Sequence, residues 1–83
     1  MDINTLEAEI CKFVKENLLA SSVEFTPQTE LSKIGLDSFS MIEIILFLER
    51  KFGVELPDEI LTPENIKSVS SLSLCALEFS KKN

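Results

Sequence analysis

The residue best placed to do chemistry in this chain is a serine at the start of an apolar helical segment. Ser38 follows Asp37 in the pentapeptide Gly-Leu-Asp-Ser-Phe at 35–39, where an irregular stretch meets a run of apolar residues. A hydroxyl at a helix start lies near unpaired backbone N–H groups and the positive end of the helix dipole. An anion bonded to that oxygen would be stabilised there. The position therefore suits a serine that carries a phosphodiester.

The chain offers Ser38 no partner that would make it a self-sufficient nucleophile. The 83 residues include no histidine, so neither a Ser-His nor a Cys-His arrangement can form. Asp37 is the neighbouring carboxylate, and with an ordinary pKa it is a weak base. Activation of the serine must then come from another protein, and we expect the chain not to be an enzyme.

Composition and charge exclude several classes of partner. Fourteen Asp and Glu residues against eight Lys and Arg residues give a formal net charge of -6, which repels phosphate backbones and anionic lipid headgroups. The first twenty residues lack the cationic start and apolar run of a secretory signal, and no segment reaches the length of a membrane span. We therefore expect a cytoplasmic monomer, one domain over 1–83, without nucleic-acid binding or membrane insertion.

The two cysteines do not suggest a metal site or a disulfide framework. Cys11 and Cys75 lie far apart in the sequence, and no CxxC pair accompanies them. No Asp-rich calcium loop with its central glycine occurs either. We expect no bound metal, and we interpret both cysteines as small core residues.

Apolar periodicity predicts two long helices in the first two thirds of the chain. Steps of three and four residues predict a first helix over about 5–19, with Asn4 as its N-cap. A second helix is predicted over 38–52, capped by one residue of the Asp-Ser pair and ended before Gly53. This helix is apolar around more of its circumference than one packing stripe requires.

The remaining segments predict one long loop and two further helices. The stretch from 20 to 37 loses periodicity, and five apolar side chains could pin it to a core. These are Val23, Phe25, Leu31, Ile34 and Leu36. Thr62 followed by proline predicts a short helical turn that ends near Ile66, and Ser68 is the predicted cap of the last helix. Since no stretch shows strand alternation, the expected fold is all-α, a four-helix bundle with a long first loop and a short third helix.

Several motifs resemble those of the acyl carrier protein and peptidyl carrier protein family. They are Gly-Leu-Asp-Ser-Phe at 35–39, Glu43, Leu-Glu at 48–49 and Phe-Gly-Val-Glu-Leu-Pro-Asp at 52–58. The resemblance covers essentially the whole chain and implies a bundle of the acyl-carrier type. It also implies that Ser38 receives 4'-phosphopantetheine from coenzyme A through a magnesium-dependent phosphopantetheinyl transferase, which Asp37 helps to dock. The thiol of this arm then holds acyl or aminoacyl groups as thioesters.

The same resemblance implies a surface where partner enzymes dock along the second helix, with apolar residues ringed by acids. Its residues are Phe39, Met41, Ile42, Glu43, Leu46, Glu49 and Asp58. The implied partners are a ligase that loads acyl or aminoacyl groups and a downstream synthase or transferase. Part of this apolar helix must also face the core, and we expect Ile45, Leu48 and Phe52 to do so.

Charge distinguishes the second helix from the strongly acidic helix of fatty-acid-type carriers. Glu43 and Glu49 are balanced by Arg50 and Lys51, so the formal charge over 38–53 cancels. Electrostatic steering toward basic patches on partner enzymes scales with local charge, so binding to the enzymes of general fatty acid biosynthesis should be weakened. We therefore expect a stand-alone carrier that serves a specialised pathway. A phenyl ring at Phe47 would fill space needed by a long acyl chain if it points inward, and an outward position is equally compatible.

The sequence leaves the cargo and one alternative open. Fatty acyl, polyketide, aminoacyl (as in nonribosomal peptide synthesis) and lipid-modifying groups are all compatible with the motifs. The alternative is an acyl-carrier-like docking adaptor that is never modified and binds a partner protein through the second helix. Both interpretations predict the same fold, and modification of Ser38 separates them.

Overall fold

Three α-helices and two short 3₁₀ helices make up the described part of the chain. The computed structural model describes residues 2–18 and 23–82. Helix α1 spans Ile3–Asn17, α2 spans Ser38–Phe52 and α3 spans Val69–Lys82, with 3₁₀ helices at Leu31–Ile34 and Asp58–Ile60. Helix α1 packs against both α2 and α3. These described residues form no strand, and the all-α prediction is confirmed.

Helix α1 begins earlier than its periodicity predicted. Asp2 is the N-cap, and its Oδ1 accepts a hydrogen bond of 2.8 Å from the N–H of Thr5. The prediction of Asn4 as the cap is wrong, because the Asp2 carboxylate already satisfies an amide of the first turn and brings Asn4 inside the helix. The helix ends at Asn17. Residue 19, its predicted end, lies outside the described residues.

Helix α2 has the predicted bounds, and both of its ends are defined by local chemistry. The carboxylate of Asp37 accepts a 3.0 Å hydrogen bond from the N–H of Ser40 at the N-terminal end. Gly53 ends the helix at φ 69, in the left-handed region that glycine favours, and its N–H donates to the carbonyl of Glu49. Capping at both ends fixes where Ser38 lies, at the first residue of the helix.

The core joins the inward faces of the three helices. Its members are less than a tenth exposed and come from α1 (Leu6, Ile10, Val14), α2 (Met41, Ile44, Leu48) and α3 (Val69, Leu72, Ala76). The connection before α2 adds Leu31 and Leu36, and Phe25 and Ile34 pack against this core, as the sequence predicted. Val23 is half-buried. None of the helices in the described residues is long and apolar enough to cross a membrane.

The segment predicted as a short third helix forms the predicted helical turn capped by Thr62, but it is too short to count as a helix. The N–H groups of Asn65 and Ile66 donate to the carbonyl of Thr62, at 3.0 and 3.1 Å, and Thr62 Oγ1 also accepts from Asn65. The Asn65 side-chain amide donates to the carbonyl of Ile60 at 2.6 Å. This contact ties the turn to the preceding 3₁₀ helix, and residues 63–66 form a single turn. The described chain therefore has three α-helices rather than four.

Backbone hydrogen bonds tie the long connection to the start of α3. The N–H of Leu31 donates to the carbonyl of Lys67 at 2.9 Å, and the N–H of Ser70 donates to the carbonyl of Pro27 at 2.8 Å. Ser68 caps α3 as predicted, since its Oγ accepts from the N–H of Ser71 at 3.1 Å. These contacts place the first 3₁₀ helix beside the turn that precedes α3.

We expect removal of one buried hydroxyl to stabilise the protein. Ser73 in α3 is fully buried, and its Oγ has no hydrogen-bond partner among the described residues. A buried, unpaired polar group costs free energy, so Ser73→Ala should raise the free energy of unfolding by about 1.5 kcal/mol in urea denaturation. About 0.5 kcal/mol of this is the helix propensity of alanine.

Ser80→Ala is the matched control, because Ser80 lies in the same helix and is only half-buried. Ser80→Ala should raise the free energy of unfolding only by the contribution of helix propensity, about 0.5 kcal/mol. Equal gains from the two variants would contradict the expectation.

Candidate functional site

Ser38 is exposed at the first residue of α2, where another protein can reach its hydroxyl. The neighbouring Asp37 accepts the hydrogen bond from the N–H of Ser40, and this bond lowers the pKa of the Asp37 carboxyl. A lowered pKa makes the carboxylate a weaker base. Asp37 therefore shapes the helix start without activating the Ser38 hydroxyl.

Ser38 also lines an open groove of about 390 Å³, which we call the Ser38 groove. Its walls come from the first 3₁₀ helix, the start of α2 and the turn at 63–67. The apolar lining residues are Leu31, Leu36, Met41, Pro63 and Ile66, and the polar ones are Ser32, Asp37, Ser38 and Lys67. Sequence reasoning did not foresee this groove, because its walls are far apart in the chain.

Helix α2 presents an apolar stripe to solvent on the side away from the core. Phe39 is 68% exposed, Ile42 54% and Leu46 47%. At about 100° per residue these positions lie opposite the buried core residues of the helix. The same side carries three charged residues. We define the outer face of α2 as Phe39, Ile42, Glu43, Leu46, Glu49 and Arg50.

One residue expected on the docking surface lies elsewhere. Met41 is only 8% exposed, because its position on the helix turns it toward the core and the Ser38 groove, so its place among the surface residues is corrected. Asp58, expected at the rim of this surface, is exposed and begins the second 3₁₀ helix. Of the residues expected in the core, Leu48 is fully buried and Ile45 and Phe52 are half-buried.

The charges of α2 divide between two sides of the helix. Lys51 lies toward α1, where its Nζ is 2.9 Å from Oε1 of Glu9. The outer face keeps two negative residues, Glu43 and Glu49, and one positive residue, Arg50, so it has one net negative charge. Arg50 was counted in the charge of the helix but was not expected on the docking surface, although it follows Leu46 by four residues and shares its face.

Phe47 lies in the seam between α1 and α2. Its ring stacks on Phe13 with centroids 4.4 Å apart and an interplanar angle of 19°, and it meets Phe52 edge-on at 6.3 Å. Aromatic contacts of this kind add to the stability of a packed seam. The ring therefore does not belong to the outer face, and it helps to close the space between the two helices.

Neither cysteine has the environment of a reactive thiol. Cys11 and Cys75 are half-buried and free, and burial raises the pKa of both thiols. A raised pKa keeps a thiol protonated and less nucleophilic. The described residues contain no cluster of three or more side chains able to hold a metal ion.

Comparison with known families decides what kind of protein this is. The chain matches the family model described as a phosphopantetheine attachment site over residues 8–75, which include Ser38 and α2. The chain belongs to the phosphopantetheine-binding carrier protein family. The carrier resemblance seen in the sequence motifs is thereby confirmed.

Individual carrier proteins support this assignment. The chain is 44% identical over 52 residues to an acyl carrier protein of Helicobacter pylori, covering 61% of this chain and 67% of that protein. It is 40% identical over 67 residues to aminoacyl carrier protein 1 of Bradyrhizobium diazoefficiens, covering 76% of this chain and 72% of that protein. Aminoacyl carrier protein 2 of the same organism is 32% identical over 69 residues, covering 83% and 75%.

Solved carrier structures share the fold. A chain in the crystal structure of a Bradyrhizobium japonicum glycine:carrier protein ligase complexed with glycylated carrier protein matches with a TM-score of 0.69 and 32% identity, covering 88% of this chain and 96% of that one. The complex of that ligase with its cognate carrier protein and a glycyl adenylate analogue matches with a TM-score of 0.71 and 30% identity, covering 92% and 96%.

The residues around Ser38 fit the group that this family carries. 4'-Phosphopantetheine supplies a thiol at the end of a flexible chain. Ser38 offers an exposed oxygen, the start of α2 offers the positive end of its dipole, and the Ser38 groove offers apolar walls beside that oxygen. Asp37 keeps this helix start in place through its hydrogen bond to Ser40.

We expect Asp37→Ala to lower the thermal midpoint of unfolding and Asp37→Asn to lower it less, because an amide oxygen can still cap Ser40. The pKa of Asp37 is below its ordinary value of 3.8 in the folded state. The carboxylate therefore contributes stability above its unfolded pKa and loses it as the pH falls through the folded pKa. Melting curves from about pH 7 to about pH 3 should show the advantage of wild type over Asp37→Asn constant near neutral pH and shrinking as the pH falls below about 4.

Asp58→Asn is the control for this measurement, since Asp58 is an exposed acid outside α2. The difference in thermal midpoint between wild type and Asp37→Asn should depend on pH in this way. If it stayed constant down to the most acidic pH measured, the assignment of Asp37 as the N-cap would be contradicted.

Proposed function

We propose that this protein carries small aminoacyl groups as thioesters on a 4'-phosphopantetheine arm attached to Ser38, in a specialised biosynthetic pathway. The observation that carries the proposal is the exposed Ser38 at the first residue of α2, within the matched phosphopantetheine attachment region. The arm supplies the chemistry, and the chain itself presents the arm to partner enzymes. In this role the protein transports its cargo and is not an enzyme.

Attachment of the arm requires a partner enzyme, a phosphopantetheinyl transferase. Ser38 Oγ forms a bond to the phosphorus that bears the pantetheine chain of coenzyme A, the pyrophosphate bond breaks, and adenosine 3',5'-bisphosphate leaves. The hydroxyl proton passes to a base on the transferase, because Asp37 has a lowered pKa and is engaged by Ser40. A magnesium ion of the transferase reaction stabilises the charge on the departing phosphate.

The relatives and the packing of the chain support a small aminoacyl cargo. Two relatives carry the name aminoacyl carrier protein, and the matched crystal structures contain a glycine:carrier protein ligase. Within the chain, the stacked rings of Phe13 and Phe47 occupy the seam between α1 and α2. A long acyl chain would have to displace packed apolar side chains, which costs free energy, whereas a small cargo needs no such space.

The outer face of α2 is the proposed docking surface for the loading ligase. It combines three exposed apolar side chains with acids and one arginine, which is the mixture of apolar anchors and polar rim found at protein interfaces. Its net charge of −1 is small, so electrostatic steering contributes less than apolar contact. A ligase surface with an apolar cleft and both signs of charge at its rim fits this face.

We expect incubation with coenzyme A, magnesium and a broad-specificity phosphopantetheinyl transferase to add one phosphopantetheinyl group, detected by intact mass. Ser38→Ala should add none, because the acceptor oxygen is lost. Ser40→Ala is the matched control, since Ser40 is a second serine of the same helical turn and should leave the addition unchanged. No addition to the wild-type protein would favour the unmodified docking adaptor instead.

We expect a glycine:carrier protein ligase to load the modified protein and to lose efficiency when the outer face is truncated. Ile42→Ala and Leu46→Ala should each lower kcat/KM for loading about 5- to 30-fold, the effect of about 1 to 2 kcal/mol at an interface anchor. Leu74→Ala is the matched control, because Leu74 is 52% exposed but lies on α3. Its effect should stay within about twofold.

The same assay tests the cargo. Glycine or another small amino acid should be loaded, and a long-chain fatty acyl group offered by an acyl–carrier ligase should be loaded poorly. Efficient fatty acylation without aminoacylation would contradict the proposed cargo while leaving the carrier role intact.

A further inference from the structure

We infer that Lys67 binds the phosphodiester of the arm on Ser38 and so directs the arm into the Ser38 groove. The inference rests on the proposed function and goes beyond it, since it assigns a resting position for the arm and a residue that holds it there. Lys67 is 29 residues away from Ser38 in the sequence, and the fold brings both to the lining of one groove. Lys67 is a positioning residue, because it acts on the phosphate rather than on the thiol or its cargo.

The charges around Ser38 create a need for such a cation. The carboxylate of Asp37 already uses the N–H of Ser40 at the start of α2. A phosphodiester on the next residue would place a second negative charge beside it, at the same positive end of the helix dipole. Among the described residues that line the Ser38 groove, the positive charge comes from Lys67. Its ammonium group can offset the repulsion between the two anions.

The backbone holds Lys67 in place, while its side chain is only weakly engaged. The Lys67 carbonyl accepts the hydrogen bond from Leu31 across the groove, at 2.9 Å. Its Nζ lies 3.5 Å from Oε1 of Glu30, and the two side chains are 58% and 36% exposed. An exposed ion pair at this distance contributes little. The ammonium group can therefore exchange Glu30 for the phosphodiester at small cost, with its backbone unmoved.

The groove beyond the phosphate matches the chemistry of the arm. The pantoate part of the arm, next to the phosphodiester, has a quaternary carbon with two methyl groups. Leu36, Met41 and Ile66 are among the apolar residues that line the groove together with Ser38. Contact of the two methyl groups with these walls would bury apolar surface. The groove is open, so the arm can enter and leave without unfolding any part of the protein.

The resting position leaves the docking surface free. Met41 lines the Ser38 groove, whereas Phe39, Ile42 and Leu46 face outward on the other side of α2. A partner can thus bind the outer face before the arm leaves the groove. This order separates recognition of the carrier from delivery of the arm.

The test uses the phosphopantetheinylated protein, with intact mass confirming one group on Ser38. Failure at that step would overturn the proposed function and is thereby distinguished from failure of this inference. Nuclear Overhauser contacts between the pantoate methyl groups and the methyl groups of Leu36 and Ile66 then report the docked arm. Lys67→Gln should lower the docked-to-free ratio about two- to fivefold, the range expected for an exposed ion pair.

Two matched variants separate a specific contact from general charge effects. Glu30→Gln removes the competing carboxylate and should raise the docked-to-free ratio, the opposite of Lys67→Gln. Lys33→Gln removes an exposed lysine of the first 3₁₀ helix that does not line the groove, and it should change little. Equal contacts in wild type and Lys67→Gln, or an equal loss in Lys33→Gln, would overturn the inference. Melting curves of the variants check that each one is folded.

Discussion

The site depends on the hydrogen bonds that hold the connection after α1 against the start of α3. The carbonyl of Pro27 accepts from an N–H in the first turn of α3, one of the groups that a helix start leaves unpaired. The bond between Leu31 and Lys67 then fixes the first 3₁₀ helix. Gly35, at φ 89, turns the chain toward Asp37 and the start of α2. Ser38 reaches its place beside the groove because these contacts fix the chain that precedes it.

Helix α2 meets three different environments around its circumference, which explains why its sequence is apolar on nearly every side. Ile44 and Leu48 are fully buried in the core. Phe47 and Lys51 meet α1 through an aromatic stack and an ion pair with Glu9. The remaining side is the outer face, whose apolar residues have no counterpart within the described structure. A helix with more apolar surface than its own core uses is typical of a protein that binds others.

The sequence predicted the features that depend on local chemistry. The bounds of α2 followed from the Asp-Ser pair and Gly53, and Ser68 was recognised as a cap, because capping residues act within one helical turn. The start of α1 was wrong by two residues, since Asp2 and Asn4 are both good caps and only the fold decides between them. The expected third helix is a single turn capped by Thr62, and the sequence pattern did not show the bond from Asn65 to Ile60 beside it.

The residues around Ser38 were less predictable, because the sequence does not say which side of a helix meets which neighbour. The periodicity of α2 did not separate Met41, which lines the groove, from Phe39, which faces solvent. The cancelling charges of α2 likewise concealed that Lys51 pairs with α1. Nothing in the sequence pointed to Lys67, since only the fold brings it to the groove that Ser38 also lines. Tertiary contacts decide each of these cases.

The strength of these contacts suits a carrier whose covalent arm must leave the groove when a partner enzyme binds. An exposed ion pair contributes about 0 to 1 kcal/mol, and a single apolar anchor at an interface contributes about 1 to 2 kcal/mol. Docking through two or three side chains of the outer face therefore contributes more free energy than the proposed ion pair of Lys67 with the phosphodiester. A buried, well-paired cation at Lys67 would reverse this order and hold the arm away from the partner. The exposure of Lys67 and its 3.5 Å contact with Glu30 are those of a weak ion pair, which is the strength that a releasable arm requires.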